Sequence, residues 1–141
     1  MKALPCSADN IGNADFEKTK LEYDLDLMQG LWEYQGQDGR QKTKQIRGNT
    51  VTTTDYAENG AVWQQSRQDL TLVQSGPVSL CTYRNFETTA GPAKGQKTPP
   101  GWSHAHLYTV NRDEFVEILE ALDGTGGPVA LRQWKRIGSE K

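Results

Sequence analysis

The sequence predicts an all-β fold, an antiparallel up-and-down barrel of eight or nine strands with a short N-terminal helix. Short segments with alternating side chains follow one another from residue 30 to residue 137, separated by turns rich in Gly, Asn, Asp or Pro. No helical periodicity occurs between these segments, which disfavours a parallel α/β sheet. The last segment carries Leu131, Trp134 and Ile137, which are too apolar for an open sheet edge. We therefore expect the last strand to pair with the first and close the sheet.

The chain length of 141 residues predicts one domain. Residues 1–13 contain Pro, Ser, Asn, Asp and Gly without periodicity, so we predict a disordered leader there and a single barrel domain over residues 14–138. The 16 Lys and Arg residues are dispersed among 18 Asp and Glu residues, giving a formal net charge of -2. This balance argues against nucleic acid as a partner, and no stretch is apolar enough to span a membrane.

The N-terminal segment MKALPCSADN bears on location and on redox state. It lacks the apolar core of a secretory signal, which predicts a cytoplasmic protein for the sequence as given. A trimmed lipoprotein signal ahead of Cys6 would instead make the protein exported or lipid-anchored. Cys6 and Cys81 are 75 positions apart and could form one disulfide in an oxidising compartment. They show no CxxC spacing, so we favour a Cys81 that packs as a small apolar residue. The sequence does not define the oligomeric state.

The first predicted element is a helix within residues 15–29, ended by Gly30. After Gly30 the period changes to two, and Asp-Gly at 38–39 and Asn-Gly at 59–60 supply hairpin turns. The segment at 90–101 contains three Gly and three Pro and is predicted to be a surface loop. The strands predicted after the first are 41–47, 50–56, 61–73 (one bent strand or two short ones), 78–88, 102–110, 114–122 and 129–137.

Two motifs at the ends of the barrel segment suggest a family. Gly30-Leu31-Trp32, which follows the helix, resembles the Gly-x-Trp motif of lipocalins, in which a basic residue of the last strand packs over the Trp. With the terminal LRQWKRI at 131–137, the pattern is similar to a lipocalin-like (calycin-type) small β-barrel family of unknown function that is abundant in planctomycete bacteria. The resemblance implies no particular activity. It implies a barrel closed at its base by Gly30 and Trp32 with a basic residue from Arg132, Lys135 or Arg136, of which we favour Arg132 or Arg136.

Aromatic and histidine side chains indicate where a ligand would bind. His104 and His106 are the only histidines, and their spacing of two places both on one face of a strand. Trp102 and Tyr108 share that face. We predict that a ligand cavity is lined by Trp63, Trp102, His104, His106 and Tyr108, with the 90–101 loop as a lid at the open mouth.

The histidine pair has two other interpretations, a solvent-exposed pair and a metal site. A metal would need a third ligand, for which Glu117 and Glu120 on the next strand are candidates. The turn at 111–113 decides which of them is near. A three-residue loop would place His104 opposite Glu120, whereas a two-residue loop would place Tyr108 opposite Glu117.

Three functions follow from these patterns. The preferred one is binding of a small apolar or amphipathic ligand inside the barrel. The alternative is a filled barrel that serves as a protein-interaction or structural module through the polar strands 41–47 and 50–56. The third is a metal-dependent enzyme that uses His104 and His106. No nucleophile elbow, phosphate-binding loop or HExxH motif is present, so we predict no catalytic residue and no cofactor, and an enzyme is the less favoured class.

Overall fold

The part of the chain that the structure describes forms a closed antiparallel β-barrel of eight strands in chain order, with one short helix before the first strand. The computed structural model describes residues 19–35, 39–119 and 130–138. Strand β8 pairs with β1, so the all-β barrel predicted from the sequence is confirmed. The predicted leader, Cys6, Glu120 and the turn at 123–128 lie outside the described residues. The elements are α1 (Lys20–Met28), β1 (Gly30–Gln35), β2 (Gln41–Arg47), β3 (Thr50–Tyr56), β4 (Val62–Ser75), β5 (Val78–Ala90), β6 (Ser103–Val110), β7 (Glu114–Leu119) and β8 (Ala130–Gly138).

Helix α1 lies within the segment that the sequence pattern predicts, and its start is set by a capping box. The Thr19 hydroxyl accepts the backbone N–H of Glu22, and the Glu22 carboxylate accepts the N–H of Thr19. At the other end, the Gln29 side chain bonds both backbone groups of Gly48, which ties the helix to the β2–β3 turn. Gly30 then begins strand β1 with φ at 125°, a backbone conformation that favours glycine. In the described part of the chain, no helix has the length and apolarity needed to cross a membrane.

Segment 61–73 belongs to one long bent strand, the first of the two alternatives predicted. Its register with β5 shifts between Gln65 and Ser66 and again between Arg67 and Asp69. Such bulges bend a strand, which a closed barrel requires. The 90–101 segment contains turns, as predicted, but folds back along the end of β5, where the Thr98 N–H donates to the Phe86 carbonyl at 3.1 Å.

The β6–β7 hairpin has the shorter of its two predicted loops. Tyr108 lies opposite Glu117, as the two-residue alternative requires. The turn is held by the Asn111 side chain, whose oxygen accepts the backbone N–H groups of Asp113 and Glu114 at 2.9 and 2.8 Å. This register places Glu117 in the barrel interior, where it is 2% exposed.

The apolar core occupies the end of the barrel that α1 covers. Trp32 is central to it, packing edge-on against Phe115 with ring centroids 5.9 Å apart and donating its indole N–H to the Met28 carbonyl at 2.8 Å. Tyr108 connects core and helix, since its hydroxyl bonds the Asp24 carboxylate at 2.6 Å. The buried apolar residues are Met28, Trp32, Ile46, Val51, Leu70, Cys81, Tyr83, Tyr108, Phe115 and Trp134.

Candidate ligand-binding site

The helix-covered end of the barrel, its base, is closed by a basic side chain lying on Trp32. The Arg136 guanidinium carbon lies 4.2 Å from the centroid of the Trp32 ring. The same guanidinium donates to three backbone carbonyls: those of Leu27, Gln29 and Arg112. This combination of a cation–π contact and charge-assisted hydrogen bonds seals the base.

The second basic residue predicted at the base, Arg132, lies elsewhere. Four residues along a strand separate Arg132 from Arg136 by about 13 Å, so the two side chains point inward at different heights of the barrel. The Arg132 guanidinium lies 5.2 Å from the centroid of the Tyr34 ring, and both residues line the mouth at the opposite end. Its predicted role in closing the base is therefore corrected: it belongs to the open end.

A buried polar network crosses the middle of the barrel. Its centre is Glu117, whose Oε1 lies 2.6 Å from the Lys44 ammonium and accepts the Trp134 indole N–H at 2.9 Å. The Tyr83 hydroxyl donates to the other carboxylate oxygen at 2.5 Å. The Lys44 nitrogen also lies 4.4 Å from the centroid of the Trp134 ring, a cation–π distance. Each buried polar side chain of the network therefore has at least one hydrogen-bond partner within it.

Burial and charge set the protonation states within this network. Burial alone would raise the pKa of Glu117, but the Lys44 ammonium and the hydrogen bonds from Lys44 and Tyr83 lower it to about 2. Burial, with the Glu117 charge, raises the pKa of Tyr83 well above its ordinary value. The same two causes raise the pKa of the buried Cys81 thiol. Glu117 is therefore a permanent carboxylate at neutral pH, while Tyr83 and Cys81 stay protonated.

Between this network and the open end of the barrel lies an inner cavity of about 290 Å³. The network forms its floor, and side chains from the other positions of six strands form its walls. A larger mouth cavity of about 530 Å³ adjoins it and shares the lining residues Lys42, Asp55 and Arg132. The inner cavity is lined by Lys42, Lys44, Thr53, Asp55, Gln64, Ser66, Gln68, Tyr83, Phe86, His104, His106, Glu117, Arg132 and Trp134.

Three of the five aromatic and histidine residues predicted to line a cavity do so. His104 and His106 line the inner cavity, and Trp63, 47% exposed, lines the mouth. Trp102 is absent from both linings and stacks on His104, with ring centroids 6.0 Å apart and an interplanar angle of 6°. Tyr108 is also absent, because its hydroxyl bonds Asp24 within the core. The alternation along β6 predicts which side chains share a face of the strand. It does not predict the position of each side chain along the barrel axis.

His106 is the more deeply placed histidine of the pair. It is 8% exposed, and its ring meets that of His104 nearly edge-on at a centroid distance of 4.3 Å. Burial lowers the pKa of His106 to about 4, so the imidazole is neutral at neutral pH. Its Nδ1 atom is buried and has no hydrogen-bond partner among the described residues. A buried polar atom without a partner is costly in a folded protein, so a polar group at this position would be stabilising.

Arg132 has the corresponding property among the cations of the cavity. Lys44 pairs with Glu117 at 2.6 Å, and Lys42 pairs with Asp55 at 3.2 Å. Across the described ranges, no ion pair joins Arg132 to a carboxylate. Its Nε atom is buried and has no acceptor. Glu117 lies opposite Arg132 on the neighbouring strand, but its carboxylate is paired with Lys44. Among the described residues the Arg132 guanidinium therefore has an aromatic ring contact and no ion pair of its own.

The histidine pair does not extend to a metal-binding cluster in the described part of the chain, where no group of three His, Cys, Asp or Glu is placed to hold an ion. Glu117 was a candidate third ligand, but both of its oxygens accept hydrogen bonds within the network. What the structure gives for His104 and His106 is a place in the lining of the inner cavity.

Lys44 is an interior residue that was not predicted from the sequence, because the strand at 41–47 was expected to form an exposed polar face. The available signal was the apolar Ile46, because residues two and four positions before an inward Ile also face inward. By that rule Lys42 and Lys44 belong to the interior, and both line the inner cavity. Thr43, on the opposite face of the strand, is buried too. In β3, Val51 and Thr54 are buried as well, so these strands do not form the exposed polar face that the second hypothesis assumed.

Comparison of the chain with protein-family models, with curated proteins and with solved structures gave no match. The function proposed below is therefore inferred from the cavities of the barrel and the side chains that line them.

Proposed function

We propose that the protein binds a small, partly apolar organic molecule in the open end of the barrel, as a lipocalin-like barrel does. The observation that carries the proposal is the pair of adjoining cavities within a barrel whose other end is sealed by Trp32, Arg136 and the helix. Volumes of about 530 and 290 Å³ suit a small molecule.

The character of the lining supports ligand binding over a filled barrel. A filled barrel would be closed by apolar side chains, whereas this interior changes from an apolar core to a polar cavity at the Lys44–Glu117 pair. At the mouth, Tyr34 and Trp63 provide aromatic surfaces, and Arg40 lies 5.8 Å from the centroid of the Trp63 ring. Convergent polar groups below aromatic walls are typical of small-molecule sites.

A cavity-filling substitution tests this proposal. Thr53 lines the inner cavity, whereas its neighbour Thr52 faces outward on the same strand. We expect a neutral fluorescent probe, N-phenyl-1-naphthylamine, and its 8-sulfonate, anilinonaphthalene sulfonate, to bind with a stoichiometry of one. Thr53→Trp should weaken binding of either probe at least about tenfold, while Thr52→Trp should leave it unchanged.

A second variant protects the test against misfolding. Gln68→Trp enters the same cavity from β4 and should have the same effect in a variant with a wild-type circular dichroism spectrum. Binding that survives both cavity variants, or the failure of both probes to bind saturably, would contradict the proposal.

A further inference from the structure

We infer that the natural ligand is a small amphipathic anion, whose oxyanion group, a carboxylate or its equivalent, binds Arg132 in the inner cavity while its apolar part lies at the mouth. The inference depends on the proposed function and adds to it the chemical class and the orientation of the ligand.

The first argument is the charge of the inner cavity. Its cationic side chains are Lys42, Lys44 and Arg132, and its carboxylates are Asp55 and Glu117. Each lysine forms an ion pair with one carboxylate. The ammonium-to-oxygen distance is 3.2 Å for Lys42 with Asp55 and 2.6 Å for Lys44 with Glu117. One positive charge is left, on Arg132. A bound monoanion would balance the charge of the described cavity residues.

The second argument is the position of unpartnered polar atoms in the inner cavity. Arg132 Nε and His106 Nδ1 are both buried without a hydrogen-bond partner, and both residues line the inner cavity. Among the described residues Asp55 Oδ1 also accepts no hydrogen bond, but it lies 3.2 Å from the Lys42 ammonium and so already has a cation beside it. A guanidinium recognises carboxylates and similar oxyanions through its fork of N–H donors. A neutral imidazole adds a further donor when the proton is on Nδ1. One oxyanion group would satisfy both atoms.

The third argument excludes a cationic head group. Glu117 accepts hydrogen bonds on both oxygens, and Asp55, although its Oδ1 accepts no hydrogen bond, lies 3.2 Å from the Lys42 ammonium. A cation would therefore have to displace a lysine that belongs to the cavity wall. In addition, it would stand beside the Arg132 guanidinium, where like charges repel each other.

The apolar part of the ligand is placed by the composition of the mouth. The apolar surface of the mouth comes from Tyr34, Trp63, Leu119 and Leu131, beside a polar side that contains Arg40 and Lys42. The inner cavity has Thr, Ser and Gln side chains on its walls and aromatic rings near its floor. Arg132 lines both cavities and so stands at the boundary between them. An amphipathic anion with its head inward brings the oxyanion to the unpartnered atoms of Arg132 and His106, whereas the reversed orientation would leave the His106 atom without a partner.

A pair of probes that differ only in charge tests the inference. N-phenyl-1-naphthylamine is neutral, and anilinonaphthalene sulfonate has the same rings with one sulfonate. We expect the sulfonate to bind the wild-type protein at least about tenfold more tightly, because a charge-assisted contact forms at Arg132. Arg132→Gln should remove this preference, so that the two probes bind this variant with affinities within about twofold of each other. The matched control is Arg67→Gln, which removes an exposed arginine from the outer face of β4 and should keep the preference.

Displacement with unlabelled molecules gives a readout independent of the fluorophores. Octanoate should displace the bound probe, and octylammonium should not. If both probes are blocked by Thr53→Trp but bind equally, or if octylammonium competes as well as octanoate, the barrel is a ligand site and the anion assignment is wrong. Loss of the sulfonate preference in Arg67→Gln as well as in Arg132→Gln would also overturn the assignment.

Discussion

The Lys44 ammonium lies 2.6 Å from the Glu117 carboxylate, and this ion pair divides the barrel interior into two regions. The side chains are 6% and 2% exposed. On the helix side of the pair, aromatic and aliphatic side chains fill the barrel, and on the other side the inner cavity begins. The pair is thus both the upper surface of the core and the floor of the proposed site.

Removing both charges of this pair should lower the free energy of unfolding by less than the sum of the two single removals. Glu117→Ala leaves the Lys44 ammonium buried without a counter-charge, and we expect it to lower the free energy of unfolding by about 3–5 kcal/mol. Lys44→Met should have a similar effect. The double variant Lys44→Met/Glu117→Leu should lose clearly less than the sum of the two single losses, as measured by urea denaturation. Additive losses would show that the two charges do not depend on each other.

The seal at the base should be similarly sensitive. Arg136→Met removes the cation–π contact with Trp32 and leaves the Leu27 and Gln29 carbonyls without their donor. We expect a loss of about 2–4 kcal/mol in the free energy of unfolding. Lys135→Met, an exposed position on the same strand, should change it by no more than about 0.5 kcal/mol. Equal effects of the two substitutions would contradict the role assigned to Arg136.

The fold could be predicted because its signals are local. Asp-Gly and Asn-Gly turns, Thr-rich strands and the Gly30-Leu31-Trp32 motif after a helix each act over a few residues, and together they specify a meander. Closure followed from the apolar last strand. The true start of the helix, in contrast, depends on a reciprocal capping contact between Thr19 and Glu22, which the apolar spacing alone did not reveal.

The site was harder to predict because its key contacts join distant strands. Lys44 and Glu117 are 73 positions apart, and their meeting depends on the register of every hairpin between them. Alternation also says which residues point inward without giving their height in the barrel. For that reason Arg132 was placed with Arg136 at the base, and Tyr108 was placed in the cavity.

The burial of a neutral histidine predicts that stability decreases in mild acid. The pKa of His106 is lowered from 6.5 to about 4, so between these values the unfolded chain binds more protons than the folded one. Stability from this source is fully present above pH 6.5 and is lost as the pH falls toward 4. We expect this loss to amount to roughly 1–3 kcal/mol.

Two histidine substitutions separate this effect from general acid denaturation. In His106→Gln, the free energy of unfolding should depend less on pH across that window, whereas His104→Gln, at an exposed position, should keep most of the dependence. Urea denaturation at a series of pH values measures both. An unchanged slope in His106→Gln would mean that other groups cause the decrease.

Two glycines of the 90–101 segment provide a matched test of the mouth. A Cβ at Gly91, where φ is +102°, would lie 2.6 Å from the Trp63 carbonyl oxygen, while a Cβ at Gly95, where φ is +95°, would meet nothing within 4 Å. Gly95→Ala should therefore cost only about 1–2 kcal/mol for its backbone conformation. Gly91→Ala should cost more and should also weaken probe binding, because it displaces Trp63. Equal costs and unchanged binding in both variants would contradict this placement.

A crystal structure of the protein with anilinonaphthalene sulfonate bound is the most direct measurement of the central claim, that the open end of the barrel is a ligand site. The account predicts density for the probe inside the barrel, with the sulfonate against Arg132, the rings near Tyr34 and Trp63, and the Trp32–Arg136 seal intact. An interior closed by repacked side chains, with the probe bound only to the outer surface, would contradict it.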